Sequence, residues 1–377
     1  MRPPVAFIVY CVHIHTYIYI LFTMKSSNDL SGCTIYTRGI MTKAVTGSRD
    51  RRSQAAQALL ALVPTRVGRS VVFNRVNKED SGDKMVLVVN GVLQEDVPTD
   101  SRSLYVSHPV YRETAAQLHS MPAKLVGPVG LLYVQQREMA ATLPHDKNVS
   151  ILGSDDMTTC IIVVVRHSGS GAAALAHLDG AGTEDAAAAM VQRVTELAIG
   201  FPEGRLELQL VGAAFHKQPV EIDLTLCCVG ELNTTVRAGI HWPVIYGIGL
   251  NVKTGEIFPA TFPDKGPDQP LRCARQLTGG QQVLDVYDCT LGLLRIGPFN
   301  YDPLRGVDLW LAQSDQFILQ HLSTSPEVEL PHFVSQVRAT LKYIQDNQFP
   351  AVTVFRDNRP HYYRRDEATG VWQPIRY

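Results

Sequence analysis

The chemistry available to this chain is concentrated between Ser150 and Gly180, where Cys160 opens an apolar run and His177 closes the next one. A thiol beside an imidazole pairs a nucleophile with a proton carrier, an arrangement suited to attacking an acyl carbon and releasing it again. A neighbouring imidazolium lowers a thiol pKa from about 8.5 toward about 3.5–7.5, which would supply thiolate at neutral pH. The residues ahead of Cys160 are polar (Ser154, Asp155, Asp156, Thr158 and Thr159), which is unusual packing for a cysteine that only fills a core. Gly153 and Gly180 flank the stretch, and a backbone without Cβ lets a ligand come close. The competing reading makes Cys160 a small hydrophobe and His177 a structural ring.

A fold that joins the two residues must turn the chain back between them. Residues 161–165 are apolar, β-branched and too few for a helix, so they read as a buried strand. Ser168-Gly169-Ser170-Gly171 is turn chemistry, and residues 172–178 form the returning strand. A turn centred on Ser168-Gly169 sets Cys160 opposite His177. One centred on Gly169-Ser170 sets Cys160 opposite Asp179, with His177 one diagonal away. In both registers the thiol and the imidazole share a face, because strand side chains alternate. An odd loop without a bulge would separate them.

The surrounding chain supports a mixed α and β domain. It has 377 residues, 45% hydrophobic and 19% charged, enough for a sizeable core. The formal net charge of −1 gives no pull toward nucleic acid or an anionic membrane. The seven cysteines are odd in number, with no C-x-x-C and no zinc-type spacing, which fits free thiols in a reducing compartment. No phosphate-binding glycine loop occurs, so neither a cofactor nor a metal is expected. Strands are expected near 130–135, 206–211, 223–229, 243–251, 283–287 and 293–296. Helices are expected at 184–199 and 333–344, the latter with apolar residues at three- and four-residue spacing behind Pro331. Stacked sheets covered by helices suit this inventory.

Residues 1–84 differ in composition. The stretch 6–22 is apolar but interrupted by His13 and His15, and a spanning helix needs about 20 residues. A basic, acid-poor stretch follows, with a short helix expected around 56–60. A signal anchor and a mitochondrial presequence are two readings. The preferred one is a disordered or mispredicted leader, with the functional domain starting at Met85 and spanning 85–377.

From Met85 onward the chain resembles the eukaryotic protein N-terminal asparagine amidohydrolases. The matching stretches are GPVGLLYVQQRE (127–138), ILGSDDMTTC (151–160), HWPVIYGIGLNVKTGEI (241–257), RIGP (295–298), and LSTSP with PHFV (322–334). The resemblance from Met85 to the end covers about three-quarters of the chain. The family begins Met-Pro, whereas Val86 follows Met85 here. The resemblance implies deamidation of an N-terminal asparagine to aspartate, feeding arginylation and ubiquitin-dependent degradation through the N-degron route. It implies Cys160 as nucleophile, protein or peptide substrates with a free N-terminal Asn, a monomer, and a cytoplasmic location extending to the nucleus.

The family is in turn similar to the chemotaxis-receptor deamidases and the deamidating necrotizing toxins. This implies an α-β-β-α sandwich, His177 as the acid–base partner, and a hydroxyl six residues before the cysteine, here Ser154. Backbone N–H groups with Ser154, Thr158 or Thr159 are then expected to stabilise the oxyanion. Asp155, Asp156 and Glu231 are the acids expected to hold the substrate's α-ammonium. Each also has the plainer reading of a solvated turn or a salt bridge. A cysteine peptidase or transamidase, and a non-catalytic binding module, are the alternative functions.

Overall fold

The computed structural model describes residues 5–13, 16–26, 29–37, 40–44, 87–89, 91–94, 100–212 and 222–375. The chain divides into two compact units, Met1–Val71 and Val72–Tyr377. In the first, the strands Val5–His13, Thr16–Ser26, Asp29–Thr37 and Ile40–Ala44 pair in sequence order, each antiparallel to the next. The β-branched and aromatic residues of this stretch favour strand over helix. The helix expected around 56–60 lies outside the described residues.

The second unit is built around the expected hairpin. Ile161–His167 and Ala173–Leu178 pair antiparallel, with Ile162 opposite His177 and Ile161 opposite Leu178. This is the register centred on Gly169-Ser170. The hairpin forms one side of a six-stranded sheet. Its order continues through Leu206–Gly212, Asp223–Val229, Leu87–Val89 and Val92–Gln94. Alternation then divides the hairpin's side chains. Ile161, Val163, Val165, Ala174, Ala176 and Leu178 pack with Ala186, Met190 and Val194 of the helix Thr183–Leu197. Those three helical residues recur every fourth position, and Glu184 and Asp185 sit in its positively polarised first turn.

The opposite face carries Cys160, Ile162, Val164, Ala173 and Leu175 into a different cluster. There they meet Leu152, Ile248, Leu250 and Ile257 of a second, five-stranded sheet. Its order is Lys124–Leu125, Ile257–Thr261, Ile248–Asn251, Ile151–Ser154 and Leu131–Tyr133. The class is therefore mixed α and β, with two sheets facing each other across a core and helices against the outside of the larger one. The long expected helix is present as Phe333–Asp346, with Leu341 and Ile344 buried. Among the described residues no helix is long and apolar enough to cross a membrane.

Two expected strands are broken. The stretch 243–251 separates into Ile240–Pro243, which pairs with Thr234–Arg237, and Ile248–Asn251 of the five-stranded sheet. The Asn233 carboxamide holds both the N–H and the C=O of Ile245 (2.9 and 3.1 Å), so the linking residues satisfy their backbone without a ladder. Similarly, 283–287 yields Leu284–Asp285 and Tyr287–Asp288, which serve different partners.

A buried ion pair fixes the turn that reaches the hairpin. Arg272, 2% exposed, donates to Glu138 through Nε (3.0 Å) and Nη2 (2.5 Å), and also to the carbonyl of Tyr133 (2.8 Å). Glu138 accepts from the Gln135 N–H (3.0 Å), while the Arg137 N–H donates to the His177 carbonyl (2.8 Å). Arg272→Ala is expected to cost about 3–5 kcal/mol, because it strands the Glu138 charge in the interior. Urea unfolding followed by circular dichroism measures the loss. A change under about 1 kcal/mol, the size typical of surface pairs, would show that water reaches Glu138.

Candidate active site

The polar run between Ser154 and Cys160 is the crossing from one sheet to the other. Ser154 ends the strand Ile151–Ser154, and Cys160 immediately precedes Ile161–His167. Polar residues suit this crossing because both aspartates find specific partners. Asp155 accepts from the Tyr133 hydroxyl (2.7 Å), the Phe262 N–H (2.9 Å) and Lys265 Nζ (2.7 Å). Asp156 turns the chain at φ 61° and takes Lys265, His332 Nε2 (2.8 Å) and Gln336 Nε2 (3.4 Å). The Met157 N–H donates to the Tyr246 carbonyl (2.9 Å).

Close packing keeps both ends of the crossing in place. A Cβ at Gly153 would stand 2.3 Å from the Phe262 ring, so this glycine admits an aromatic side chain where a ligand was expected. A Cβ at Gly212 would stand 2.4 Å from the Cys160 carbonyl, at a φ of +148° that side chains rarely adopt. Any larger residue there would displace the backbone under the thiol.

Cys160 and His177 share the face of the six-stranded sheet that meets the second sheet. The register puts His177 one diagonal from Cys160, a relation that spaces Cβ atoms by about 7–8 Å. His177 is buried, and its Nδ1 lies 2.7 Å from Ser154 Oγ. Its Nε2 is also buried and has no hydrogen-bond partner among the described residues. With Nδ1–H donating to Ser154, Nε2 becomes a proton acceptor. The Ser154 hydroxyl, expected at an oxyanion, thus lies against the imidazole.

The resting electrostatics also differ from the expected thiolate–imidazolium pair. Burial pushes the Cys160 thiol up to about 12, helped by the negative charges of Asp179 and Glu329. Burial pushes His177 down to about 4, against the pull of Asp179 and Asp156. Both groups are therefore neutral near pH 7, and a buried imidazole without its charge cannot stabilise thiolate.

The acids expected at the ammonium are variously placed. Asp155 and Asp156 are engaged by Lys265 as described. Glu231 lies on the exposed turn Gly230–Leu232 and pairs with Arg112 at 3.1 Å. Thr158 is half-buried, and exposed Thr159 places Oγ1 3.3 Å from Thr324 Oγ1. Asp179, expected only as the residue opposite Cys160, follows the hairpin and takes Gln136 Nε2 (2.6 Å), Arg137 Nε (2.8 Å) and the Ala181 N–H (3.1 Å). Sequence reasoning missed Lys265, His332 and Glu329. These residues are remote in sequence and show no local pattern. Among the described residues, no group of three or more His, Cys, Asp or Glu side chains is placed to hold a metal ion.

Comparison with known proteins bears directly on this arrangement. The profile of the protein N-terminal asparagine amidohydrolases matches residues 121–374. The chain belongs to that family. The amidohydrolase of Sus scrofa is 42% identical over 308 residues, covering 77% of this chain and 98% of the relative. The Homo sapiens protein gives the same identity and coverage. The Arabidopsis thaliana amidohydrolase is 26% identical over 253 residues, covering 56% of this chain and 72% of the relative. Membership in the amidohydrolase family sets the reaction class as hydrolysis of an amide bond. The matched region contains the whole crossing from Ser154 to Cys160, together with His177 and Glu231.

Proposed function

We propose that the protein hydrolyses the side-chain amide of an N-terminal asparagine to aspartate and ammonia through a thioester on Cys160. The observation that carries this reading is the buried His177, held at Nδ1 by Ser154 and left with an unpartnered Nε2 on the face it shares with Cys160. In the first half-reaction Nε2 takes the thiol proton as sulfur bonds to the amide carbon. The tetrahedral oxyanion then collapses, the C–N bond breaks, and the proton on Nε2 leaves with ammonia. In the second half-reaction Nε2 takes a proton from water as its oxygen attacks the thioester. The C–S bond breaks, the proton returns to sulfur, and the aspartate carboxylic acid ionises to solvent.

The product is a new N-terminal aspartate, the substrate class of the arginylation step of the N-degron route. The family resemblance supports a monomer acting in the cytoplasm and nucleus, with residues 1–84 outside the catalytic domain. The two facing sheets, with helices on the outside of the six-stranded one, support the likeness to the α-β-β-α deamidases.

Mass spectrometry of peptides beginning with Asn, acetyl-Asn and Gln tests the reading, with ammonia release measured in parallel. Only the Asn peptide should convert. A hydrophobic pocket discriminates one methylene by about 1–3 kcal/mol, and misplacing the reacting carbon of Gln by an ångström costs about a further hundredfold. Equal conversion of all three peptides would make the protein a general amidase, and cleavage of the peptide bond would make it a peptidase.

The dependence of kcat/KM on pH follows from the buried pair. His177 must be neutral to accept the thiol proton, so its own protonation contributes to the acid limb only as pH drops through about 4. The substrate amine must be charged, so the basic limb should fall above about 7.7–8.0. An acid limb near 6.5, the ordinary histidine value, would show that His177 is solvated in the working enzyme.

A further inference from the structure

Distinguishing a terminal from an internal asparagine needs an anion close to the thiol, because the α-nitrogen is only three bonds from the attacked carbon. The acids at the crossing are occupied. Asp155 and Asp156 share Lys265, Asp179 is paired with Arg137, and Glu138 is paired with Arg272.

We propose that Glu329 holds the α-ammonium of the substrate, a role that rests on the deamidation reading above. Among the described residues no lysine, arginine or histidine lies within ion-pair distance of its carboxylate, which is half-buried and accepts a 2.5 Å bond from Ser323 Oγ. It is near enough to Cys160 for its charge to act on the thiol. Burial and the charge of Asp156 hold its carboxyl above the usual range, against the Ser323 hydroxyl and the more distant His332.

The loop carrying Glu329 is fastened to the nucleophile's segment along its length. Thr324 Oγ1 meets Thr159 Oγ1 at 3.3 Å, next to Cys160. The Tyr246 hydroxyl donates to the Val328 carbonyl (3.4 Å), while the Tyr246 carbonyl takes the Met157 N–H (2.9 Å). The Ser325 N–H donates to Ser323 Oγ (2.9 Å), which fixes the hydroxyl that bonds Glu329. Just beyond, His332 reaches Asp156 (2.8 Å). The loop that carries the carboxylate is thus tied to the segment that carries the thiol. With the ammonium seated on it, the amide carbon of Asn is presented to the thiol, and that of Gln is carried one methylene past it.

The test compares Glu329→Gln with the wild-type chain on two peptides. One begins with Asn. The other begins with a succinamoyl group, which keeps the amide and replaces the ammonium by hydrogen. Removing one partner of a desolvated charge pair should lower kcat/KM on the Asn peptide by about thirtyfold to five-thousandfold. The succinamoyl rate should change far less, so the preference for the charged substrate collapses.

Ser323→Ala, which leaves the carboxylate in place but unanchored, should shift the preference in the same direction by a smaller factor. Equal falls on both peptides with a native circular dichroism spectrum, or no fall on either, overturn the assignment. If Glu329→Gln does not fold, an unchanged preference in Ser323→Ala overturns it instead. Absence of ammonia from the Asn peptide with wild-type protein is a separate result. It defeats the deamidation reading itself, and the assignment of Glu329 with it.

Discussion

Cys160→Ala is expected to reduce ammonia release from an Asn-starting peptide to the uncatalysed rate while leaving the sheets intact. The thiol is the only atom the substitution removes from the proposed reaction, and nothing nearby replaces it. Thr159 has a hydroxyl beside the thiol, but an alcohol is a far weaker nucleophile than the sulfur it would replace. The structural cost is small because alanine keeps the β-carbon and the strand that follows is set by Ile161, Ile162 and Val163. Intact-protein mass spectrometry during turnover adds a positive readout. The wild-type chain should carry a transient acyl adduct at Cys160, and the variant none. Substantial deamidation by the alanine variant would remove Cys160 from the mechanism.

His177→Ala should slow both half-reactions, by about 10²–10⁴-fold, the usual worth of positioned acid–base help. Because Nε2 serves the attack and the hydrolysis in turn, the acyl adduct should form slowly and also disappear slowly. A structural histidine would give a different pattern. Its loss would strand the Ser154 hydroxyl at a cost of about 1–3 kcal/mol, lowering stability while the surviving folded molecules turn over normally. Activity per folded molecule, from ammonia release corrected by circular dichroism, separates the two. Normal turnover per folded molecule would show that His177 only supports the core.

Much of this site is legible in the sequence because its central piece is local. The β-branched run after Cys160, the Ser-Gly-Ser-Gly turn and the alanine-rich return define a hairpin, and alternation alone puts thiol and imidazole on one face. The choice between the two registers was not legible. It depends on a turn four residues long, closed by the Gly171 N–H donating to the His167 carbonyl at 2.8 Å. The partners of the acids were also hidden. Lys265 is 109 residues from Asp156 in sequence, and His332 is 176 away. Neither carries a local signal, since an acid-turn pattern looks the same whether water or lysine completes it. Burial was the other blind spot. The expected imidazolium assumed a solvated ring, and the second sheet covers it.

The orienting serine and the nucleophile–imidazole pair belong to different sheets, joined through the crossing of residues 155–159. Neither sheet contains a working site alone. The hairpin can form early from local contacts, but His177 meets Ser154 only after the two halves dock over long sequence separations. Catalytic competence is therefore a late product of folding. A chain that has formed its hairpin but not docked its sheets carries the thiol and the imidazole without the hydroxyl that sets the ring, and it cannot act on other proteins' termini before it is complete.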